Sequence, residues 1–320
     1  MERRVVITGM GAITPIGNNI AEFWDGLKNV KNGINLITRF DTAESKVKCA
    51  GEVKNFDPTT VVDKKEVKRN DLFSIYAMAA ADEAVEMSGI DLESIDRERL
   101  GVIIGSGIGG LCTIEEQAGK MTTKGMSRIA PLFIPMAISN MAAGNVAIRF
   151  GAKGTCLDVV TACATGRDSI GDAYRKVKHG YVDYVIAGGA EASVCKLGIG
   201  GFAALKTLST SEDPDRASVP FDKERNGFVM GEGAGIVFME TLESAKARGA
   251  EIIAEVVGYG STCDAYHITA PNPEGAARAM RAAMEEAGID KTEVGYINAH
   301  GTSTPANDSS ETKAIKEAFG

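Results

Sequence analysis

Two hydrophobic periods alternate along this chain, and the switches between them set out an α/β order of elements. Val5 to Ile13 is a short β-branched run containing Gly9 and Gly11, which predicts a first core strand. Ala79 to Ser88 predicts a helix that stops at Gly89-Ile90-Asp91, and Gly101-Val-Ile-Ile-Gly105 predicts a buried strand entering a glycine turn. Val159-Val-Thr161 predicts a further strand, running into a helix from about Ala164 to Val177 that ends before Gly180. No Pro/Ser-rich linker or low-complexity run divides the chain, and the alternation of strands and helices is that of an α/β layer fold.

The same order of elements then recurs. Ala276 to Ala287 predicts a helix, followed by Gly288-Ile289-Asp290 and a strand Gly295-Tyr-Ile-Asn-Ala299 entering His300-Gly301, with an offset of 199 residues from Gly89 to Gly288. Val5 to Thr8, ending at Gly9-Met-Gly11, likewise matches Ile252 to Val257, ending at Gly258-Tyr-Gly260. Such a match implies two pseudo-symmetric halves. They divide the chain into residues 1–250, with a strand-to-helix turn and cap insertions, and residues 251–320, the start of a second half. Only 25 residues follow Gly295, so the second half is expected to be incomplete.

Composition narrows the function classes. With 320 residues, 44% apolar and 24% charged, the chain buries a large core and is neither disordered nor fibrous. A formal net charge of −8 argues against generic nucleic-acid binding, which needs a basic face. No stretch reaches the roughly 20 apolar residues of a spanning helix, and Met1 to Ile13 lacks the cleavage signature of a signal peptide. Membrane insertion is not expected, and the cytoplasm is the default location. The six cysteines show no CxxC spacing, so most are expected to be reduced core residues. His179, His267 and His300 form no HxxxH or HxH pair, so no zinc site is expected.

Cys163 carries the most informative context, Thr161-Ala-Cys-Ala-Thr-Gly166, at a strand-to-helix turn flanked by small residues. A helix N-terminus carries about half a positive charge, which favours a thiolate, so the turn suits a nucleophile. The plain alternative is a buried structural cysteine. His300 ends the repeated strand and enters a turn of small hydroxyl residues, where α/β folds gather their sites. His179 reads as a cation at a helix C-terminus, and His267 stays ambiguous. Gly105-Ser-Gly-Ile-Gly-Gly110 satisfies the GxGxxG pattern, but residues 117–150 hold no Asp or Glu to bind a ribose, so these glycines read as close backbone packing beside a pocket. Gly231-Glu-Gly-Ala-Gly235 suggests another crowded backbone crossing. Lys64, Lys65, Lys68 and Arg69 form a local basic patch, either a solvated helix face or a docking site for an acidic partner.

Taken together, these segments resemble the β-ketoacyl-acyl carrier protein synthases, and among them the elongating synthase II type. The likeness rests on Val6-Ile-Thr-Gly-Met-Gly11, Gly105 to Gly110, Ile138-Ser-Asn-Met141, Thr161 to Gly166, Pro220-Phe-Asp-Lys223, Gly227 to Gly235 and Asn298-Ala-His-Gly-Thr-Ser-Thr304, and it covers nearly the whole chain. The resemblance implies a thiolase-like, five-layered αβαβα fold, normally a homodimer, that catalyses a decarboxylative Claisen condensation in fatty-acid elongation. It makes Cys163 the acyl-accepting nucleophile and His300 the first of two histidines that stabilise the enolate. It assigns Thr302 and Thr304 to the phosphopantetheine arm. Ile108, Phe133 and Phe202 would line the acyl pocket, with Phe133 reaching across the dimer. Lys64, Lys65, Lys68, Arg69 and Lys206 would meet the acidic acyl carrier protein. No metal or organic cofactor is implied, because phosphopantetheine arrives on the carrier.

The chain also departs from that pattern. The family carries a further section beyond the position of Gly320, with a Lys, a second catalytic His and a Gly/Phe-rich loop that donates one oxyanion N–H. Arg167 and Asp168 stand where a small hydroxyl residue and then Asn or His are usual, Thr155-Cys156 replaces Pro-Asn, and the Pro271 to Gly275 loop is short by about two residues. A rival reading is a non-catalytic partner, either a chain-length factor or an inactive fragment of such an enzyme that only binds carrier protein. Retention of Cys163 argues against the chain-length factor, since that group typically replaces the nucleophile, and the section missing after Gly320 keeps the fragment reading open.

Overall fold

The computed structural model describes residues 3–320. The strands are β1 (Val5–Ile13), β2 (Asn35–Leu36), β3 (Cys49–Ala50), β4 (Leu100–Gly105), β5 (Cys156–Leu157), β6 (Tyr184–Glu191), β7 (Gly233–Thr241) and β8 (Ala254–Val256). The α-helices are α1 (Ile20–Lys28), α2 (Lys64–Val67), α3 (Leu72–Ser88), α4 (Leu111–Lys124), α5 (Phe133–Ala137), α6 (Met141–Phe150), α7 (Thr165–Lys178), α8 (Lys196–Ala204), α9 (Leu242–Ala247), α10 (Pro273–Ala287) and α11 (Pro305–Phe319). They gather into two compact units that interleave in sequence. The first comprises residues up to Gly33, Gly51–Gly198 and Gly231–Val256; the second comprises Ile34–Ala50, Ile199–Met230 and Val257–Gly320.

A six-stranded mixed sheet in the order β5-β4-β6-β7-β1-β8 forms the centre of the first unit. β5, β4 and β6 run parallel, and β7, β1 and β8 join antiparallel. Helix α3 explains why one face is so dry. Asp71 caps its N-terminus through the Phe73 N–H, Gly89 closes its end at φ +63°, and eleven of its residues are buried, from Phe73 to Ser88. Val102, Ile104, Ile186, Ile236 and Phe238 pack with α3 and α6 in one apolar cluster. Gly105, of opposite parity to Ile104, abuts Thr165 of α7 on the other face, so the sheet is sandwiched between helices.

The predicted first strand has the bounds observed for β1, and the predicted helix before Gly89 is the last part of α3. Gly9 and Gly11 are required by contact. A Cβ at either would sit 1.9 Å from the carbonyl oxygen of Ala84 or Ala80 in α3, so the helix rests directly on the strand backbone.

Within the second unit the same arrangement recurs. A Cβ at Gly258 would sit 2.3 Å from the Ala283 oxygen and one at Gly260 2.0 Å from the Ala279 oxygen, both in α10. Gly288 ends α10 at φ +68°, as Gly89 ends α3 at φ +63°, and Asp290 and Asp91 each cap the short 3-10 turn that follows. The pseudo-symmetry read from sequence is therefore a repeat of packing contacts. Helix α10 packs against α11, and β2 pairs with β3.

Two expected strands are corrected. Residues 294–299 pair with no strand among the described residues, so the segment from Gly295 to Ala299 runs without a ladder. Ahead of Cys163, β5 is two residues long and ends at Leu157, and Val159 to Thr161 lie outside the sheet. The apolar period there reflects an approach to a turn, where Val159 contributes its carbonyl against Gly105.

Candidate active site

Cys163 stands in a single 3-10 turn, Ala162–Ala164, that passes directly into α7. Ala162 holds φ at +52°, a left-handed conformation that costs an alanine about 1–2 kcal/mol. Packing enforces it. Thr165 turns its hydroxyl back to accept the Thr161 N–H at 2.9 Å, the Ala164 N–H bonds the Thr161 carbonyl at 3.1 Å, and a Cβ on Gly105 would meet the Thr165 methyl at 2.3 Å. The turn thus lifts Cys163 to an exposed position in front of a helix whose first turn has no side-chain cap.

A cavity of about 670 Å³ opens over the thiol. Its lining includes Gly105, Gly107, Cys163, Arg167, Glu191 and Gly233. The glycines let three chain segments converge: a Cβ on Gly189 would meet Gly166 at 3.0 Å, one on Gly188 would meet the Gly235 oxygen at 2.0 Å, and one on Gly233 the Ile13 oxygen at 2.2 Å. The crowded crossing expected at Gly231 to Gly235 is found at Gly233, where β7 opens, whereas a Cβ at Gly231 or Gly235 would meet nothing closer than 3.9 Å. Glu191 ends β6 at the cavity wall. Burial pushes its carboxyl above the ordinary Glu value, while hydrogen bonds from Ser193, Ser106, Gly107 and Ile108 pull against that rise. Ile108 follows Gly107 in the chain and is exposed, and Phe133 opens α5, half-buried.

His300 lies in the second unit, exposed, at the turn before α11. Glu311 of α11 accepts two successive backbone N–H groups, from His300 at 2.6 Å and Gly301 at 2.8 Å. Ser303 is fully buried at φ +64°, with its hydroxyl accepting the Val219 N–H at 3.0 Å and its carbonyl the Gly227 N–H at 3.0 Å. That anchor presents Thr302 and Thr304 with their hydroxyls 2.9 Å apart, and Thr304 caps α11. Phe202 makes an edge-on contact with Phe228 at 5.3 Å, and Lys206 is exposed at φ +56°. His267 folds its own loop, its Nδ1 accepting the Thr269 and Ala270 N–H groups at 3.1 Å. His179 caps the C-terminus of α7.

A cysteine at the head of a helix, a glycine-lined cavity above it and a histidine turn of hydroxyl residues agree with what sequence comparison finds. Residues 2–245 match the family described as Beta-ketoacyl synthase, N-terminal domain, and residues 253–320 match its C-terminal domain. The chain belongs to the beta-ketoacyl synthase family. Among curated relatives of this synthase-family chain, the 3-oxoacyl-[acyl-carrier-protein] synthase 2 of Synechocystis sp. is 52% identical over 322 residues, covering 100% of this chain and 77% of that one. Among solved structures, the ishigamide ketosynthase/chain length factor superposes with a TM-score of 0.92 at 37% identity, covering 100% of this chain and 78% of that chain. A type II polyketide ketosynthase in complex with its acyl carrier protein superposes at 0.90 with 34% identity, covering 100% and 78%. These matches place the chain in the thiolase-like ketosynthase fold.

The first unit brings Cys163, Gly107 and Arg167 to one cavity, with Glu191, which the sequence reading overlooked. Its only local signal was an acid ending an otherwise apolar strand. Lys64 and Lys65 lie in α2, Lys68 caps it, and Arg69 pairs with Glu66 at 2.9 Å. The expectation that most cysteines are core residues holds for Cys49 and Cys195 and fails for Cys156, Cys163 and Cys263, which are exposed. Cys156 is on the edge strand, Cys163 at the turn and Cys263 in an irregular loop. Among the described residues no group of three or more His, Cys, Asp or Glu is poised for a metal, and no helix is long and apolar enough to cross a membrane.

Proposed function

We propose that this chain accepts an acyl group on Cys163 from acyl carrier protein, the first half of the decarboxylative Claisen condensation of fatty-acid elongation. The observation that carries the reading is the exposed thiol at the head of α7, under a cavity of about 670 Å³. The thiolate attacks the acyl thioester, and the phosphopantetheine thiol leaves with the proton. In the second half, malonyl-carrier protein loses carbon dioxide and its enolate carbon attacks the Cys163 thioester, forming the new C–C bond and returning the thiolate. The malonyl carboxylate supplies the driving force, so the proposal calls for no metal or organic cofactor.

In this reading His300 stabilises the enolate oxygen, and the Thr302–Thr304 hydroxyl pair binds the phosphopantetheine arm. Ile108, Phe133 and Phe202 receive the acyl chain. Lys64, Lys65, Lys68, Arg69 and Lys206 dock the acidic carrier, a role supported by a basic cluster in a chain of net charge −8. A homodimer in the cytoplasm is part of the proposal. The dimer's support is the edge strand β5, with exposed Leu157, beside α6, against which α5 packs; Ile148 of α6, Ile134 of α5 and Ile138 just after it are exposed. The second histidine and the Gly/Phe loop that the resemblance calls for are not among these 320 residues. Loss of one oxyanion donor typically costs about 100- to 1,000-fold in rate. These residues alone are therefore expected to be acylated but to condense slowly.

Incubation with medium-chain acyl carrier protein, followed by intact mass, tests the reading. A mass gain that vanishes in Cys163→Ala supports it. No gain while carrier protein still binds would favour a passive, carrier-binding partner.

A further inference from the structure

The turn between β4 and α4 is held in place by one side chain from another strand. Glu191, at the end of β6, accepts the Gly107 N–H at 2.9 Å and the Ile108 N–H at 3.2 Å on a single carboxylate oxygen. Its other oxygen accepts the hydroxyls of Ser106 at 3.1 Å and Ser193 at 3.0 Å. Ser106 Oγ in turn accepts the Gly109 N–H at 2.9 Å, and the Ser106 N–H reaches Asp158 at 3.3 Å. Residues 106 to 109 are all tied to this network, and a Cβ at position 107 would sit 3.0 Å from the Glu191 carboxylate and press on it. Charge-assisted bonds of this kind are roughly twice as strong as neutral ones.

Glu191 and Gly107 line the same cavity as Cys163, and Ile108 follows Gly107 in the same turn. Movement of the 106–109 turn therefore moves the wall that an acyl chain meets. Nothing ties Glu191 to the thiol itself, which separates shape from reactivity. We propose that Glu191 is a positioning residue that sets the 106–109 turn and, through Ile108, limits the length of acyl chain that reaches Cys163. The proposal rests on the preceding reading of Cys163 as acyl acceptor and Ile108 as a wall of the acyl pocket. Glu191→Gln keeps the size but removes the charge: its amide oxygen can face the Gly107 and Ile108 N–H groups only if the Ser106 and Ser193 hydroxyls turn round to accept from its NH2, so all four bonds lose their charge-assisted character.

The test uses the full 320-residue chain and two alkylating probes, N-butyl- and N-dodecyl-iodoacetamide, with Cys163 modification followed by intact mass and peptide mapping. The Sγ–C bond forms as iodide leaves, so the ratio of long-probe to short-probe rates reads the cavity rather than the thiol. In Glu191→Gln the short-probe rate is expected to stay within about twofold, and the long-to-short ratio to rise at least about fivefold, equivalent to a barrier change of about 1 kcal/mol. Ile108→Ala should raise the ratio in the same direction, and the double variant should add nothing further, because both changes act through one turn. An unchanged ratio in folded Glu191→Gln, or additive effects in the double variant, overturns the proposal. If Glu191→Gln does not fold, Ser106→Ala, which removes one member of the network, must raise the ratio; no rise overturns it equally. Failure of both probes to modify Cys163 in the native wild-type chain, while the denatured chain reacts, sinks the acyl-acceptor reading and this proposal with it.

Discussion

A single backbone angle shapes the reactive turn. Ala162 at φ +52° aims Cys163 outward, and no local sequence cue announces it, because alanine is not a residue that favours the left-handed region. Replacing Ala162 by Val adds a branched Cβ where even a methyl is strained. Ala162→Val is expected to lose at least about 1 kcal/mol of stability, read from the denaturant midpoint, and to react more slowly at Cys163 with iodoacetamide. A variant as stable and as reactive as the parent would contradict the role given to this angle. The turn that carries Cys163 ahead of a helix was legible, because small residues flank the cysteine there, although the strand expected before it is not formed. Glu191 was not, since its four donors come from Ser193 nearby and from residues 106 to 108, more than 80 positions away.

Elements were legible where one period dominates. The helix read from Ala276 to Ala287 is observed as α10, Pro273–Ala287, extended at its start by an Asn272 cap and Pro273. Strands were harder, because a ladder needs a partner that sequence does not supply: Gly295 to Ala299 has the composition of a strand and no ladder. Inter-element ties were also invisible. Asp183, just ahead of β6, meets Arg3 ahead of β1 at 2.5 Å and Arg99 ahead of β4 at 2.8 Å. The Arg99 hydrogen bond, with that from Arg3, holds the Asp183 carboxyl below the ordinary Asp value of 3.8. A depressed carboxyl contributes stability above its unfolded pKa and loses it as pH falls through the folded value. The wild type should therefore lose urea resistance below about pH 4 more steeply than Asp183→Asn. Parallel pH profiles for the two would show that the triad carries no such contribution.

At the scale of the molecule, the repeat was the most useful sequence signal, and the structure gives it a physical basis. Glycine pairs two residues apart let a helix rest on a strand or strand-like segment, once at Gly9 and Gly11 under α3 and again at Gly258 and Gly260 under α10. Gly11→Ala and Gly260→Ala each force a Cβ to within 2.0 Å or less of a helix carbonyl. Each is expected to destabilise its own unit by about 3 kcal/mol or more, with hydrogen exchange rising first in α3 for one variant and in α10 for the other. Equal effects of either variant on both helices would contradict two separately packed halves. The proposed dimer has its own test: Ile134→Lys, on an exposed apolar face, should shift sedimentation toward monomer without lowering the melting temperature, and an unchanged sedimentation coefficient would contradict a dimer built on that face.

The central claim is that Cys163 accepts an acyl group, and one measurement addresses it most directly. The chain is incubated with acyl carrier protein carrying a medium-length chain, and its intact mass is taken beside that of Cys163→Ala. The account predicts a gain of one acyl group in the wild type and none in the variant; equal gains in both, or none in either with carrier protein bound, would contradict it.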